Sequence, residues 1–390
     1  MLKQFILKNY KNFKNELILD LSRVAGYKFN SDCITNDTIA KSIIYGRNAT
    51  GKTNLGTAMG DIVDVVAGGA RLYNFQKARI INADTEELHV AFRYVFQFDG
   101  TIIDYMYERN TDDNLSYEKL SIDADIIYEI RFEQEKFNVI SLEKINAETI
   151  QIDKYISSIK REGIELEIEQ EEREQIPFIR YLLTNGALAP DSVLYKLEDY
   201  IKRMRFYSVN QSMMFQKIPR MMVNFSDYLG ENDNLKHFEE FLNIMGVDCE
   251  LMTLKTAEDH FELFFKHKKP ISFFRNASSG TLSLANFYMR YVAIARIPSF
   301  IYMDEFDAFY HYEMAEKLVK YFKAKYPLTQ VILTTHNTNL MCNQLMRPDC
   351  LFILSRAGRL TPLCDATERE LREGHNLEKL YIGGEFEQYE

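Results

Sequence analysis

The residues best placed to do chemistry are those of the loop 46–53, which reads GRNATGKT. Two glycines let backbone N–H groups turn toward phosphate oxygens, and the N-terminus of a following helix adds a favourable dipole. Lys52 can neutralise the β- and γ-phosphates, and the hydroxyl of Thr53 can bind Mg²⁺. The pattern therefore predicts a nucleotide-binding loop that holds ATP and Mg²⁺.

The segments that flank this loop have the patterns that the chemistry requires. The apolar run 41–46, KSIIYG, predicts a buried strand that enters the loop. After the loop, apolar residues recur at spacings of three and four, which indicates one face of a helix that stops at Gly68 and Gly69. These apolar residues are Leu55, Met59, Ile62, Val63 and Val66.

An acidic pair follows a second apolar run, SFIYMDE, at residues 299–305. A strand that ends in Asp304 and Glu305 has the form of a Walker B element, in which Asp304 holds Mg²⁺ through water and Glu305 polarises the attacking water. An acidic pair after an apolar strand is also common where it only caps the strand at the protein surface, without a catalytic role. The prediction of ATP hydrolysis therefore depends on the pair occurring together with the loop 46–53.

Small residues precede this strand at Ser278, Ser279 and Gly280, a stretch called the small-residue triplet below. They begin a predicted helix whose apolar face carries Leu284, Phe287, Tyr291 and Ile294. Small residues at a helix N-terminus form an anion site. A simple serine N-cap is the alternative, and it explains one serine but not all three residues.

Three segments are predicted along the chain. Residues 1–114 form an N-terminal lobe that contains the loop 46–53, paired strands at its start and an antiparallel meander that turns at Asp99-Gly100. Residues 115–235 form a mostly helical insertion, and its charge-dense stretch 158–175 is interpreted as a solvated helix face. Residues 236–390 return to alternating strands and helices and contain the triplet and the acidic pair.

Composition limits the class of protein. The chain has 390 residues, 46% of them hydrophobic, which fits a globular protein of two or three lobes without a disordered majority. No apolar run approaches the roughly 20 residues of a membrane span, and the N-terminus does not resemble a signal peptide. Five scattered cysteines without a C-x-x-C pair favour the cytoplasm and argue against structural zinc.

The charge balance argues against a protein that binds DNA over its whole surface. The formal net charge is −10, so a polyanion would be repelled by most of the surface. Lys3, Lys8, Lys11 and Lys14 nevertheless make the first strand region basic. A nucleic-acid partner therefore remains open.

The order of these motifs resembles the ABC-type ATPase heads of the SMC, RecF and OLD group, with the triplet as a degenerate signature motif. The opening LKNYKNFKN is similar to the Asn-aromatic-basic-x-aromatic start of these families. The resemblance implies an α/β fold, an ABC-ATPase-type P-loop NTPase head with a mixed sheet, an antiparallel β meander and a helical insertion. In that class the signature of one subunit closes on the nucleotide of another, which implies a dimer or a larger ring.

The resemblance also implies roles for single residues. His336, at the end of the strand VILTTH, would be the switch histidine, although a lone histidine there is usually structural. His311 matches a histidine frequent after Walker B in the OLD-like branch, and Gln76 and Gln211 are both candidates for the Q-loop glutamine. The expected nucleotide-binding positions are Lys11, Asn12, Gly46, Asn48, Gly51, Lys52, Thr53, Asn54, Ser278, Gly280 and Asp307, with Glu305 and His336 catalytic and Thr53 and Asp304 as Mg²⁺ ligands.

Two softer stretches, 178–201 and 371–386, are similar to AAA-type ATPases of bacterial abortive-infection and restriction-linked loci, of the RloA/AbiL kind. This resemblance implies a cytoplasmic, ATP-hydrolysing sensor and regulator of an anti-phage system. It would control a separate effector, nuclease or TOPRIM-like, and respond to a nucleic acid or a phage protein, without a membrane partner.

Two rival functions share the same motifs, a DNA-holding repair ATPase of the RecF or SMC type and the motor subunit of an ABC transporter. A nuclease site within the chain is not predicted. No histidine follows an arginine by five residues, so the R-x-x-x-x-H ribonuclease pattern is absent. Asp123 and Asp125 resemble only half of a TOPRIM site.

Overall fold

The computed structural model describes residues 1–68, 80–160, 176–208, 219–231, 233–293 and 296–390. The strands are β1 (Leu2–Lys8), β2 (Leu17–Asp20), β3 (Ile34–Thr35), β4 (Thr38–Ile39), β5 (Lys41–Tyr45), β6 (Val90–Phe98), β7 (Thr101–Arg109), β8 (Leu115–Ile122), β9 (Asp125–Arg131), β10 (Lys136–Val139), β11 (Met204–Ser208), β12 (Leu251–Lys255), β13 (Phe261–Phe265), β14 (Ile271–Ser272), β15 (Phe300–Asp304), β16 (Gln330–Thr335), β17 (Leu351–Leu354) and β18 (Leu360–Pro362). The helices are α1 (Lys52–Ala67), α2 (Ile152–Lys160), α3 (Phe178–Asn185), α4 (Val193–Lys202), α5 (Pro219–Gly230), α6 (Asn234–Met245), α7 (Phe273–Asn276), α8 (Ser279–Phe287), α9 (Tyr312–Lys325) and α10 (Leu377–Ile382).

Seven strands form an antiparallel sheet in the order β10-β9-β8-β7-β6-β1-β2. The pairing of β1 with β2 and of β6 with β7 confirms the predicted paired strands and meander. Asp99 and Gly100 have φ angles of 50° and 91°, as the two-residue turn between β6 and β7 requires. This sheet packs on α1, where the hydroxyl of Tyr94 donates to the carbonyl of Ala58 at 2.9 Å.

A six-stranded mixed sheet contacts α1 as well, in the order β11-β15-β16-β5-β17-β18. Its first five strands are parallel and β18 is antiparallel to β17. Every residue of β5, β15 and β16 is buried, which is why these strands read as continuous apolar runs. Since parallel strands end at one edge, this sheet brings the loop 46–51, the pair Asp304-Glu305 and His336 together. The predicted α/β fold with a mixed sheet and a meander is confirmed.

The prediction of a mostly helical segment at 115–235 is wrong for its first part. Residues 115–139 form β8, β9 and β10 of the antiparallel sheet, and β11 joins the mixed sheet. Strand β8 does not show the usual alternation of buried apolar and exposed polar residues, because the polar residue Glu118 is 0% exposed. Its carboxylate accepts from the hydroxyls of Tyr105 and Tyr128 and from the first two backbone amides of α3. The segment limits themselves stay a prediction.

Some of the predicted features lie at or beyond the ends of the described ranges. Helix α1 ends at Ala67, where Gly68 takes a φ of 61°, and Gly69 lies outside the described residues. The charge-dense stretch 158–175 falls mostly outside them too, and Ile294 lies outside them. None of the described helices is both long and apolar enough to cross a membrane.

Candidate nucleotide-binding and hydrolysis site

The loop between β5 and α1 is held in shape by close contacts. Gly51 caps α1 with a φ of 104°, and Ala49 also has a positive φ, of 65°. A Cβ at Gly51 would overlap the side-chain amide of Asn12, so this turn accepts only glycine. A Cβ on Gly46 would lie 2.6 Å from Thr50 Oγ1. Both predicted glycines thus have a steric reason, which fits a loop whose backbone closes around an anion.

Lys52 is the first residue of α1, and its side chain turns back to the loop. Its Nζ donates to the carbonyl oxygens of Gly46 at 2.7 Å and Arg47 at 3.2 Å. Burial lowers the pKa of Lys52, while the carboxylates of Glu305 and Asp304 raise it. An ammonium has three N–H donors, so one remains beyond these two bonds for a phosphate oxygen.

A chain of hydrogen bonds joins the loop to the end of β15. Thr53 Oγ1 donates to Asp304 Oδ2 at 2.6 Å, and Thr334 Oγ1 donates to Asp304 Oδ1 at 2.9 Å. Thr334 Oγ1 in turn accepts from the backbone N–H of Glu305 at 2.8 Å. Burial raises the pKa of Asp304, although the two threonine bonds lower it. The structure therefore puts the predicted Walker A and Walker B residues in direct contact.

Glu305 follows β15 in a backbone conformation that is unusual for its residue type. Its φ of 48° lies in the left-handed region, which costs a non-glycine residue on the order of 1 kcal/mol. The bond to Thr334 holds it there, together with a bond from Phe306 N to Thr334 O at 3.1 Å. Within the described ranges, no hydrogen bond or ion pair engages the Glu305 carboxylate. Such a residue, strained and with a free carboxylate, is typical of a functional site.

The oxygen atoms at this edge suit Mg²⁺. In proteins this ion is usually held by one or two carboxylates, with substrate phosphates and water completing its octahedron. Asp304 and Thr53 offer a carboxylate and a hydroxyl that stand 2.6 Å apart. No group of three or more His, Cys, Asp or Glu residues in the described chain is placed to hold a metal alone. An ion here would therefore depend on the nucleotide as well.

Two further predicted residues, Asp307 and His336, lie beside this cluster. Asp307 is buried in the turn after β15, and its Oδ2 accepts from Thr335 Oγ1 at 2.8 Å. Its Oδ1 is buried without a partner in the described chain, and burial raises the pKa of Asp307. His336 is exposed directly after β16. The turn is thus fixed from inside, and His336 is open to a ligand at the same edge.

The turn after β1 braces the nucleotide loop. Asn12 Nδ2 donates to the carbonyl of Thr50 at 3.0 Å, and Asn12 Oδ1 accepts from Asn54 Nδ2 at 2.7 Å. Lys11 has a φ of 46° and its backbone N–H bonds to the carbonyl of Ile80. Burial lowers the pKa of Lys11. The structure places Asn12 and Asn54 against the loop, with Lys11 adjacent in the same turn, and their contact with a nucleotide stays a prediction.

The small-residue triplet lies at the N-terminus of α8. Ser278 is the N-cap of α8 and accepts from Thr281 N at 3.1 Å, as the simple N-cap alternative proposed. A Cβ on Gly280 would lie 2.9 Å from the carbonyl of Phe309, so the triplet packs on the turn after β15. Ser278 and Ser279 are exposed. The hydrogen bonds of Ser278 stay within its own helix and do not reach the nucleotide loop.

Residues 41–342 match the protein family described as "AAA domain, putative AbiEii toxin, Type IV TA system". This range includes the nucleotide loop, the triplet and the acidic pair, and it spans more than half of the chain. The chain belongs to this AAA family. The predicted relationship to P-loop ATPases is thereby confirmed, and the closer likeness to the RloA/AbiL kind stays a prediction.

Solved structures similar to this AAA protein include three SMC heads. An SMC head bound to the C-winged helix domain of ScpA has 13% identity, covers 90% of this chain and 93% of its own, and has a TM-score of 0.48. The SMC head domain from Thermotoga maritima has 14% identity, 93% and 98% coverage and a TM-score of 0.44. A head with an extended coiled coil, bound to the C-terminal domain of ScpA derived from Pyrococcus furiosus, has 11% identity, 90% and 92% coverage and a TM-score of 0.47. A comparison with curated proteins gave no match.

Sequence reasoning missed three residues at the site of this AAA protein. Thr334 and Thr335 bond to Asp304 and Asp307, and the hydroxyl of Tyr302 donates to the carbonyl of Lys52 at 2.6 Å. Two adjacent threonines at the end of an otherwise apolar strand were the available signal. Their partners lie at the end of β15 and in the turn after it, and the sequence alone did not place β15 beside β16.

Several residues that were predicted to have functional roles lie outside the hydrogen-bonded cluster around Asp304. Asn48 is exposed on the loop, and His311 is exposed at the N-cap of α9. Gln76 and Gln211 both lie outside the described residues. Asp123 accepts from Ile102 N at 2.8 Å, and Asp125 pairs with Lys144, so both have structural partners instead of a metal.

Proposed function

We propose that this AAA protein binds ATP with Mg²⁺, hydrolyses it and uses the cycle to regulate a separate effector in anti-phage defence. One observation carries the enzymatic part, the hydrogen-bond chain Thr53–Asp304–Thr334–Glu305 at the carboxyl edge of the parallel strands. The family description, with its toxin–antitoxin context, supports the defence role. The effector would be a nuclease or TOPRIM-like protein in the same cytoplasm, and the trigger a nucleic acid or a phage protein.

The residues divide the proposed reaction between them. Lys52 and the loop backbone bind the β- and γ-phosphates, and Thr53 and Asp304 hold Mg²⁺, which would neutralise charge on the phosphates. Glu305 orients the attacking water through its free carboxylate, and the exposed His336 contacts the γ-phosphate. Thr334 holds both acidic residues in place.

Self-assembly would complete the site. The N-terminus of α8 is open to solvent, and the hydrogen bonds of Ser278 do not reach its own nucleotide loop. A second copy could offer Ser278, Gly280 and the turn around Asp307 to the nucleotide from outside, in a dimer or a larger ring. Two bound ATP molecules would then favour the closed state, and hydrolysis would return the protein to the open state.

The nucleotide site is tested by Lys52→Ala. The substitution removes the charge at the centre of the loop, so ATP binding in calorimetry is expected to disappear while the fold remains. Unchanged ATP affinity in a folded Lys52→Ala protein would contradict the phosphate-binding role of the loop.

The shared site is tested by mixing two inactive variants, Lys52→Ala and Ser278→Arg. Ser278→Arg is expected to bind ATP normally but not to hydrolyse it. In the mixture about half of the dimers would contain both variants and one intact site, so about a quarter of wild-type turnover should return. An inactive mixture, or normal turnover of Ser278→Arg alone, would mean that each subunit works by itself.

A second candidate, a DNA-binding repair ATPase, is favoured by one surface feature. The turn 266–269 between β13 and β14 reads KHKK and all four of its residues are exposed, as is Arg275 just before the triplet. Lys266 pairs with Glu250 at 3.0 Å, whereas Lys268 and Lys269 have no ion pair in the described chain. Duplex DNA binding that weakens with salt and is lost in Lys268→Glu/Lys269→Glu would favour this function. No binding even at low salt would exclude it.

A further inference from the structure

We propose that Arg47 is an additional phosphate ligand of the nucleotide site and that Glu390 holds it in reserve until ATP binds. The proposal rests on the proposed ATP-binding function and adds to it a competition within the chain. Arg47 is the second residue of the nucleotide loop, and its side chain is 57% exposed. Its guanidinium donates to the carboxylate of Glu390.

The segment 372–390, which brings Glu390 to the loop, is firmly anchored. The buried amide of Asn343 donates to three of its carbonyl oxygens, at 2.9, 3.2 and 3.1 Å, those of Arg372, Glu373 and His375. Leu377 and Phe386 are 0% exposed. The segment is therefore packed into the molecule on both sides of α10, and the position of Glu390 follows from that packing.

The same segment also touches the other side of the site. Glu378 in α10 accepts from Thr338 Oγ1 at 3.4 Å, in the short helix that follows His336. The segment thus contacts both the nucleotide loop and the loop of the proposed γ-phosphate sensor. When a phosphate displaces the Glu390 carboxylate from Arg47, the segment loses one of these two contacts.

The chemistry of the pair favours an exchange of partners. Guanidinium groups bind carboxylates and phosphates with the same planar pairs of N–H donors, and ATP brings several negative charges to this loop. The Arg47 side chain is 57% exposed while that of Glu390 is 13% exposed, so an incoming phosphate can reach Arg47 from the solvent side. Binding is therefore easier when Arg47 moves from Glu390 to the nucleotide.

The test is a double-mutant cycle on ATP affinity with Arg47→Gln, Glu390→Gln and the combined variant. Glu390→Gln is expected to tighten ATP binding about fivefold, because Arg47 is freed, and Arg47→Gln to weaken it about fivefold. The combined variant should equal Arg47→Gln, since Glu390 acts only through Arg47. Glu387→Gln, which removes the same charge from an exposed position of the segment, should match the wild type.

A second readout follows the segment itself. Hydrogen exchange of the amides 384–390 should become faster when ATP is added to the wild type, and it should not change in Arg47→Gln. If Glu390→Gln leaves the ATP affinity unchanged, the proposed exchange of partners is wrong. It is also wrong if the affinity changes of the two single variants simply add in the combined variant. In both cases the proposed ATP binding itself would stand. If the wild type shows no ATP binding that depends on Lys52, the proposed function itself fails and the exchange fails with it.

Discussion

At the scale of single residues, one hydroxyl connects the two halves of the candidate site. Thr334 Oγ1 donates to Asp304 and accepts from the backbone of Glu305, so it positions the proposed metal ligand and the proposed catalytic residue at once. Asp304, Glu305 and Lys52 could be predicted from residue type and spacing. Thr334 could not, because its role exists only through the register of β16 against β15.

Thr334→Val is expected to lower kcat for ATP hydrolysis about 10- to 100-fold, since valine keeps the shape but loses both bonds. ATP affinity should change by less than about threefold, because the loop 46–53 is untouched. Steady-state kinetics and calorimetry separate the two effects. Ser42→Ala is the matched control, since Ser42 Oγ is buried in β5 without a partner in the described chain. Normal kcat in Thr334→Val would contradict the positioning role.

Lys41, at the opposite end of β5 from the loop, carries a charge into the core. Its Nζ donates to the carbonyl of Thr329 at 2.8 Å, and burial lowers its pKa from the usual 10.5 to about 8. Between these two pH values the unfolded chain binds a proton that the folded chain does not. The free energy of unfolding should therefore rise with pH across this window.

The comparison protein is Lys41→Met, which lacks the titrating group. From pH 8 to about pH 10, urea unfolding should show the wild type gaining up to about 3 kcal/mol relative to Lys41→Met. Other groups titrate in both proteins and cancel. Parallel stability curves would show that Lys41 stays charged in the folded protein.

At the scale of elements, α1 transmits the geometry of the loop to both large sheets. Its glycine at position 56 allows the ring of Tyr302 to lie against the helix backbone, and Tyr302 bonds to the carbonyl of Lys52. Tyr94 of the antiparallel sheet bonds to the same helix from the other side. The strand, loop and helix over 41–67 were predicted from apolar spacing, but these close contacts were not.

Gly56→Ala is expected to destabilise the protein by about 1–3 kcal/mol, because the added Cβ would overlap the Tyr302 ring. Thr57→Ala on the less buried face is the control and should stay within about 0.5 kcal/mol. Alanine favours helix at both positions, so intrinsic helix propensity alone predicts no loss. Thermal unfolding gives the answer, and equal melting temperatures would contradict the close packing of α1 on β15.

The failed prediction at 115–139 has a physical cause at this scale. A strand is recognised by polar residues that face water, whereas β8 buries Glu118 among four hydrogen-bond donors. Two of these donors come from α3, some sixty residues further along the chain. Local patterns cannot reveal a polar residue that is satisfied by such distant partners.

At the scale of the whole molecule, the motifs converge because their strands are parallel neighbours. The order of the motifs along the chain was enough to predict the ATPase head. It did not predict that the segment 372–390 reaches back to the nucleotide loop, since a contact between Arg47 and Glu390 leaves no local pattern. The N-terminus of α8 is exposed at Ser278 and Ser279, where a second copy is proposed to close on it, so assembly is the central question.

The most direct test is the mass of Glu305→Gln by light scattering, with and without ATP and Mg²⁺. This variant should bind ATP but not hydrolyse it, so the closed state would accumulate. The mass is predicted to rise from the 45.8 kDa of one chain to at least twice that value when ATP is added. A single-chain mass under both conditions, or an assembly that ignores ATP, would contradict ATP-dependent assembly.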